Sequence, residues 1–327
     1  MKVRIITPVI VWFITLIVTS FGNVQAQTRD AALVAWHPEG VMLAVAYDSR
    51  VDIYDIESLE VLNSLSMDEE SGSFITPPVW NSGGSQLAVA YGPDVYVWAE
   101  PWSPENAEEV IRYQYYEDER GASIRAMAWS PDDTEIAIGV GELVRVWDIN
   151  SGTLQRQFWD EWGIVNDVLW HGERISIATS ATYALNLDPE TGAIINYFYT
   201  FTEHVTAVKA IDFSPDMTEM VIALWDDGSI RIWGDTYSSE EYNGAPRLTF
   251  QHEDVVTDID WNPQSSLIAS TGWDARIIIW DAETGDAVQT ISTEVQVNSI
   301  AWSPDGTRLA YGVASHTPVI VDISIEE

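Results

Sequence analysis

His252, Ser270 and Asp274 are the three residue types that make up a hydrolase triad, and all three lie within residues 252–274. In a serine hydrolase the imidazole takes the hydroxyl proton, while the carboxylate orients the imidazole. The residue types alone therefore admit acyl-transfer chemistry. Whether they perform it depends on the elements that position the three side chains.

Those elements repeat along the chain. Seven times a bulky aromatic residue closes a short strand and runs into a turn, at spacings of 41 to 49 residues. Self-similarity at this period indicates units that are each too small to bury a core of their own. The repeat turns the interpretation away from catalysis and towards a stacked architecture. The seven anchor residues are Trp36, Trp80, Trp129, Trp170, Phe213, Trp261 and Trp302.

The sixth repeat shows the strand pattern most clearly. Val256 to Trp261, Leu267 to Thr271, Arg276 to Trp280 and Ala287 to Ile291 read as strands, separated by turns rich in Pro, Asp and Gly. Four strands per repeat, seven times over, predict an all-β fold. It is a seven-bladed β-propeller of four-stranded antiparallel blades, formed as a single domain by residues 27–327.

A second motif recurs in register with the anchors, because the third strand of each repeat ends in Trp-Asp or a variant of it. The endings are Tyr54-Asp55, Trp98-Ala99, Trp147-Asp148, Leu187-Asp188, Trp233-Gly234, Trp280-Asp281 and Val321-Asp322. The anchor motif alone also resembles the propellers of the Tol system. With these endings, residues 32–325 resemble the WD-repeat family of β-propellers. That resemblance implies a protein-binding scaffold without chemistry of its own, and hence not an enzyme.

The resemblance also implies another role for the triad-like residues. The family has a buried tetrad of a His before the first strand, a Ser or Thr in the second, an Asp in the next turn and the Trp ending the third. His252, Ser270, Asp274 and Trp280 match it. We therefore expect a structural tetrad that satisfies buried polar groups. Blade five has Ala223 at the Ser position, and the other blades lack the His.

The ends of the repeat array leave one question open. In the family an N-terminal strand usually completes the last blade, but only Gln27 to Ala31 precede the first strand and Ser324 to Glu327 follow the last. Either these stubs form a short closing strand, which we favour, or the seventh blade has three strands. Longer loops join the third and fourth strands of blades two (100–106) and five (234–246).

Residues 1–26 have the features of a signal peptide. A short basic start precedes an apolar stretch over residues 5–22, and Val24 and Ala26 are small residues at the positions that signal peptidase inspects. This predicts cleavage before Gln27, an exported protein (periplasmic, cell-surface or extracellular) and no membrane attachment afterwards. The alternative is an uncleaved anchor, because such a stretch can just span a bilayer. The chain has no cysteine, so no disulfide holds the fold.

The net charge of −36 argues against two classes of partner. Such a surface repels phosphate backbones and anionic lipid, so we expect no nucleic-acid partner. The histidines do not cluster at metal-ligand spacings, and neither a Gly-rich phosphate loop nor an Asp-x-Asp-x-Asp-Gly loop is present. No cofactor or metal is therefore predicted, and calcium binding by isolated acidic turns stays open.

One rim of the predicted propeller combines acidic and aromatic residues. It is formed by the loops that enter the first strands and by the turns between second and third strands. An acidic surface with aromatic side chains suits a basic protein or peptide. The alternative is that these residues bind no partner: the loops are polar because they are exposed to solvent, and the aromatic side chains cap the edges of the blades. The candidate contact residues are Tyr47, Asp68, Glu69, Tyr91, Glu117, Asp118, Trp159, Trp162 and Trp273.

Two other functions remain possible interpretations of the sequence. The chain could be a propeller hydrolase or lyase that uses carboxylates at the mouth of the central channel, and a carboxylate with a strongly raised pKa in a pocket would favour it. It could also be one module of a larger assembly, with the inserted loops of blades two and five choosing the partner. The sequence does not indicate the oligomeric state.

Overall fold

The computed structural model describes residues 32–68, 75–105, 107–114, 124–159, 163–200, 207–225, 227–234, 244–313 and 318–323. Within these ranges every regular element is a β-strand, and the strands form seven antiparallel sheets. Six of the sheets have four strands and the last has three. No helix in these ranges is long and apolar enough to cross a membrane.

Each sheet is built from strands that are consecutive in the chain. Blades one to four consist of β1 (Leu33–Trp36), β2 (Met42–Tyr47), β3 (Arg50–Asp55), β4 (Val61–Ser66); β5 (Val79–Trp80), β6 (Gln86–Tyr91), β7 (Asp94–Ala99), β8 (Glu108–Gln114); β9 (Ile124–Trp129), β10 (Glu135–Val140), β11 (Leu143–Asp148), β12 (Thr153–Trp159); and β13 (Val165–His171), β14 (Arg174–Thr179), β15 (Tyr183–Leu187), β16 (Ile194–Tyr199).

Blades five to seven follow the same order. They consist of β17 (Val208–Phe213), β18 (Glu219–Leu224), β19 (Ser229–Gly234), β20 (Leu248–Gln251); β21 (Val256–Trp261), β22 (Leu267–Gly272), β23 (Arg276–Asp281), β24 (Ala287–Ser292); and β25 (Ser299–Trp302), β26 (Arg308–Gly312), β27 (Val319–Asp322). The four strands predicted for blade six match β21 to β24 within one residue at each end.

The first strands of successive blades contact one another in a closed ring, from β1 through β5, β9, β13, β17, β21 and β25 back to β1. This arrangement confirms the predicted seven-bladed propeller. The first strands therefore lie innermost, around the axis, and the fourth strands lie at the periphery.

Burial follows this radial order. Six second strands, from β2 to β22, share one pattern in which every residue after the first is buried. Both faces of these strands pack against neighbouring blades, which explains their runs of small and β-branched residues, such as Ala44 to Ala46. The fourth strands β4 and β12 are mostly exposed.

The Asp that ends a third strand has a local function in the turn that follows. Asp55 Oδ1 accepts the backbone N–H and the hydroxyl of Ser58, both at 2.8 Å. Asp148 and Ser151 form the same two bonds in blade three. A carboxylate that holds the next turn in this way is an Asx-type motif, which explains why Asp follows Trp at this place.

The turn between first and second strands is built identically in blades three, five and seven. In blade seven, Ser303 donates its hydroxyl to Asp305 Oδ1, which also accepts the N–H of Thr307 at 3.1 Å and its hydroxyl at 2.8 Å. Ser303 Oγ accepts the N–H of Arg308 at 2.9 Å. These bonds lower the pKa of Asp305, with the bond from Ser303 as the largest cause.

Replacing Asp305 by Ala is expected to lower the free energy of unfolding by about 1 kcal/mol, because the turn loses three hydrogen bonds at a partly exposed site. The pKa of Asp305 is lowered in the fold, so its stabilisation is present above the unfolded value and is lost as the pH falls through the folded value. Urea unfolding of D305A and of the exposed-turn control D286A measures this. A D305A deficit that persists unchanged at pH 2.5 would contradict it.

The two ends of the described ring meet between blades seven and one. Val34 donates its N–H to Ser299 Oγ at 3.1 Å, and Trp36 donates its indole N–H to the carbonyl of Ala301 at 3.0 Å. Gly312 lies so close to Ala32 that an added Cβ would come within 1.9 Å of the Ala32 carbonyl oxygen. Blade seven has three strands within the described residues, and the favoured closing strand lies outside them, as do residues 1–26.

Candidate functional site

The triad-like residues of blade six form one continuous chain of hydrogen bonds. His252 Nδ1 lies 2.9 Å from Asp274 Oδ2, and His252 Nε2 lies 2.7 Å from Ser270 Oγ. Trp280 donates its indole N–H to Ser270 Oγ at 2.7 Å. Gly272 makes room for the group, since a Cβ there would lie 2.9 Å from both Asp274 Oδ1 and His252 Nδ1.

The hydrogen bonds of this network are all donated in one direction, from Trp280 through Ser270 and His252 to Asp274. Desolvation lowers the pKa of His252, so the imidazole is neutral at pH 7. Because the Asp274 carboxylate only accepts, Nδ1 carries the proton and Nε2 accepts the hydroxyl proton of Ser270. Ser270 is 0% exposed, so no substrate reaches its oxygen. The geometry suits a structural bond network and not an acyl-transfer site.

Blade four contains a second buried polar group that the sequence did not reveal. His171 Nε2 lies 2.8 Å from Ser176 Oγ, and Ser176 donates to Asn186 Oδ1. Burial lowers the pKa of His171 to about 4. The strand β13 extends one residue beyond its anchor Trp170, and this last residue, His171, is buried. Ser176 is fully buried, so this Ser–His pair is closed to substrate as well.

Backbone hydrogen bonds in blades five and six join the two classes of loop on which the rim was predicted. Trp273 donates its N–H to Val255 at 2.9 Å, and Trp225 donates to Ala207 at 2.9 Å. In each case the turn after a second strand is bonded to the loop that enters the first strand of the same blade. These two loop classes therefore lie on the same rim of the propeller.

Exposed indoles mark this rim. Trp159, at the end of β12, is 65% exposed, and Trp273, directly after β22, is 41% exposed. Trp273 packs edge-to-face against Trp225 of the preceding blade, blade five, with ring centroids 5.5 Å apart and planes at 76°. Lys209 Nζ lies 5.5 Å above the ring of Trp225. Trp225 was missing from the predicted contact residues, although it follows its second strand just as Trp273 does.

Tyr47 and Tyr91 do not belong to this surface, which corrects the prediction. They are 6% and 8% exposed and pack in hydrophobic clusters. Trp36 pairs with Leu43 and Trp261 with Ile268, which aligns Tyr47 with Gly272 and not with Trp273. The prediction was off by one residue, and a one-residue shift in a strand reverses the face to which a side chain points.

The acidic residues of the rim are exposed wherever the structure describes them. Asp68, Glu253, Asp254 and Glu294 all have exposed side chains in entry loops. Arg276 pairs with Glu253 at 2.8 Å. The predicted contact residues Glu69, Glu117, Asp118 and Trp162 lie outside the described residues.

Carboxyl groups with raised pKa values do occur on the inner strands, as the enzyme alternative requires. Burial raises the pKa of Asp212 to about 6 and that of Asp258 to about 7. However, each of them accepts a backbone N–H from the next blade, which gives it a structural task. Among the described residues, no group of three or more His, Asp or Glu is arranged to hold a metal ion.

Comparison with known proteins adds a family match. The family model of the WD domain, G-beta repeat matches residues 196–234, 244–281 and 285–317. The first two matched segments end at Gly234 and Asp281, which are the last residues of β19 and β23. The family's sequence repeat therefore ends at the third strand of each of these blades.

Similar proteins match over part of the chain. Histone acetyltransferase type B subunit 2 of Kluyveromyces lactis is 30% identical over 124 residues, which cover 37% of this chain and 29% of that protein. Chromatin assembly factor 1 subunit FAS2 homolog of Oryza sativa is 30% identical over 117 residues (35% and 23%). Eukaryotic translation initiation factor 3 subunit I of Scheffersomyces stipitis is 36% identical over 107 residues (32% and 29%). The chain spans less than a third of the length of these relatives.

These relatives overturn one prediction. By their names they act in histone acetylation, chromatin assembly and translation initiation, which take place inside the cell. They point away from an exported location, so the prediction of export is wrong. That prediction came from the apolar stretch of residues 5–22, a compositional pattern that is independent of the propeller sequence after it.

Proposed function

Because this chain belongs to the WD-repeat family of β-propellers, we propose that it is a non-catalytic scaffold that binds a basic protein or peptide on its acidic, aromatic rim. One observation carries the proposal. An exposed indole, Trp273, is held against a second indole, Trp225, beside exposed carboxylates of the entry loops.

The indole pair has the properties of a binding hot spot. Trp is enriched among residues that dominate interface energy, and such residues are most effective when a neighbour fixes their orientation. Edge-to-face packing against Trp225 holds the Trp273 ring in place before a partner arrives. The ring face that stays open can accept an Arg or Lys side chain through a cation–π contact.

The charge of the rim favours a basic partner. Asp68, Asp254 and Glu294 are exposed on this rim, and the whole chain carries a net charge of −36. Complementary charge speeds encounter and rejects acidic competitors. The relatives are named as subunits of a histone acetyltransferase, a chromatin assembly factor and an initiation factor, which supports a role within an assembly.

Trp273→Ala is expected to weaken binding of a basic peptide about tenfold or more, since hot-spot truncations cost at least about 1.4 kcal/mol. The measurement is fluorescence anisotropy of labelled Lys/Arg-rich peptides of several sequences against the full chain. Acidic peptides of equal length serve as the negative set. Binding should weaken with added salt because the attraction is between charges.

Charge-reversed variants test the position of the surface. Asp254→Lys with Glu294→Lys changes the rim, whereas Glu173→Lys with Glu283→Lys makes the same change in net charge on exposed turns of the opposite rim. Loss of binding only in the first pair supports the proposal. Equal loss in both pairs, or undiminished binding by W273A, would contradict it.

A further inference from the structure

Four aspartates on the inner strands join neighbouring blades. Asp167 lies on β13, Asp212 on β17, and Asp258 and Asp260 on β21. Each carboxyl group lies between two adjacent inner strands, and each residue keeps part of its surface exposed. The four groups therefore occupy the seams of blades four to seven.

Each aspartate reaches the main chain of the following blade. Asp167 Oδ2 accepts the N–H of Ile211 at 3.0 Å, and Asp258 Oδ2 accepts that of Ile300 at 3.0 Å. The N–H groups of the anchors Trp261 and Trp302 are likewise accepted by Asp212 and Asp260, respectively. The last two aspartates occupy equivalent positions in their blades, because Asp212 and Asp260 immediately precede the anchor residues of those blades.

The opposite side of the ring uses neutral links. Trp36, Trp80 and Trp129 donate their indole N–H groups to main-chain carbonyls of the preceding blade, at 3.0, 3.3 and 2.9 Å. The indole N–H groups of Trp261 and Trp302 have no such partner among the described residues. Hydrogen bonds from backbone N–H groups to aspartate carboxyl groups thus join blades five, six and seven, whereas indole N–H bonds to main-chain carbonyls join blade seven to blade one, one to two and two to three.

The acid side holds more carboxyl groups than cations. Asp212 accepts the N–H of Trp261, the residue that directly follows Asp260, so these two aspartates lie side by side across the seam. Asp258 and Asp167 act on this pair by charge. Lys209 on β17 acts on Asp167 and Asp258, while Arg125 on β9 bonds Asn166 at 2.8 Å. The strand β25 (Ser299–Trp302) contributes no titratable side chain.

Ionising the whole group is therefore unfavourable. Desolvation is the largest cause in every case, and it raises the pKa of Asp212 to about 6, of Asp258 to about 7 and of Asp260 well above its ordinary value. Like charges at short range add to the effect. Two carboxyl groups that lie side by side are best satisfied when one of them is protonated.

We infer that Asp212 and Asp260 share one proton in the folded ring, and that the seams joining blades five, six and seven loosen when this proton leaves. The protonated carboxyl donates to its neighbour while the remaining oxygens accept the N–H groups of Trp261 and Trp302. Without the proton, two negative charges face each other across adjacent inner strands. The shared proton makes the seams between blades five, six and seven sensitive to pH, whereas the seams joined by indole N–H bonds are unaffected.

The sign of the pH dependence follows from the direction of the shifts. Each folded pKa lies above the unfolded value of about 3.9, so the folded state binds more protons between the two values. The stabilisation is fully present below about pH 4 and is lost as the pH rises through about 6 to 7. The buried histidines have lowered pKa values and act in the opposite direction, so parent and variant must be compared.

Urea unfolding of the full chain from pH 5 to pH 8.5 tests this, with Asp260→Asn as the variant. Asn still accepts the N–H of Trp302 but cannot ionise. The unfolding constant of the parent should rise about tenfold or more beyond that of D260N across the window, because each unit by which a folded pKa lies above pH 5 contributes about tenfold. Asp216→Asn, at an exposed turn whose Asp has a lowered pKa, is the control and should follow the parent. Identical profiles for parent and D260N would overturn the inference.

Amide hydrogen exchange on the parent chain gives a local readout that needs no variant. After correction for intrinsic rates, the protection of the Trp261 and Trp302 amides should fall between pH 6 and pH 8. The amides of Trp36 and Trp129, in the indole-linked blades, should keep theirs. Equal loss in all blades, or no loss at Trp261 and Trp302, would contradict a proton held at these seams.

Discussion

Replacing Ser270 by Ala is expected to lower the free energy of unfolding by about 2–6 kcal/mol, because two buried polar groups lose their partner and each costs about 1–3 kcal/mol. The indole N–H of Trp280 and the Nε2 of His252 both bond the Ser270 hydroxyl at 2.7 Å, within a side-chain network closed to water. Chemical denaturation followed by circular dichroism measures the loss.

Thr290→Ala provides the control for this prediction. Thr290 is exposed on β24 of the same blade, so its truncation should change stability by no more than about 0.5 kcal/mol. A second measurement separates a local from a global effect, since amide exchange in blade six should increase more than exchange in blade three. S270A with parental stability would show that the hydrogen-bonded chain is energetically unimportant.

Gly312→Ala is expected to destabilise the protein by about 3 kcal/mol or more, since the added Cβ would meet main-chain atoms that cannot rotate away. The contact would be 1.9 Å to the carbonyl oxygen and 2.5 Å to the carbonyl carbon of Ala32. One of the two strands must therefore shift at the seam between blades seven and one. Thermal and urea unfolding of the purified variant measure the effect.

Gly244→Ala is the matched control for the ring closure. An added Cβ at Gly244 has nothing within 4 Å, and its backbone is not in the left-handed region. We expect a change within about 0.5 kcal/mol. Parental stability of G312A would mean that the described ring is not closed through Ala32.

The strand architecture could be predicted from the sequence because each strand and turn of the repeat depends on residues that are close together in the chain. In blades three, five and seven the anchor is followed by a turn whose Asp and Ser side chains bond its own backbone. The third strands of blades one and three end in an Asp that holds the next turn. In blade six the predicted strands agree with the structure within one residue. The tetrad residues were named from the resemblance to the WD-repeat family, and the structure brings all four together.

The site was harder to predict because exposure depends on register. Tyr47 and Tyr91 are predicted contact residues like Trp273, yet they lie one residue earlier relative to the second strand, and this difference carries them into the core. Trp225 was left out although its ring packs on Trp273 from the neighbouring blade. Such inter-blade contacts join residues 48 positions apart, and no local pattern reports them.

By itself the sequence determined the repeat and the strand order, which follow from spacing, and the acidic charge, which follows from composition. The structural use of His252, Ser270, Asp274 and Trp280 was implied by the resemblance to the WD-repeat family. Only the tertiary structure decided what happens between blades. It set which aromatics remain exposed, and it brought Asp212 and Asp260 together across a seam. The physical reason is that burial and pKa depend on neighbours from other repeats, whose approach is fixed by closure of the ring.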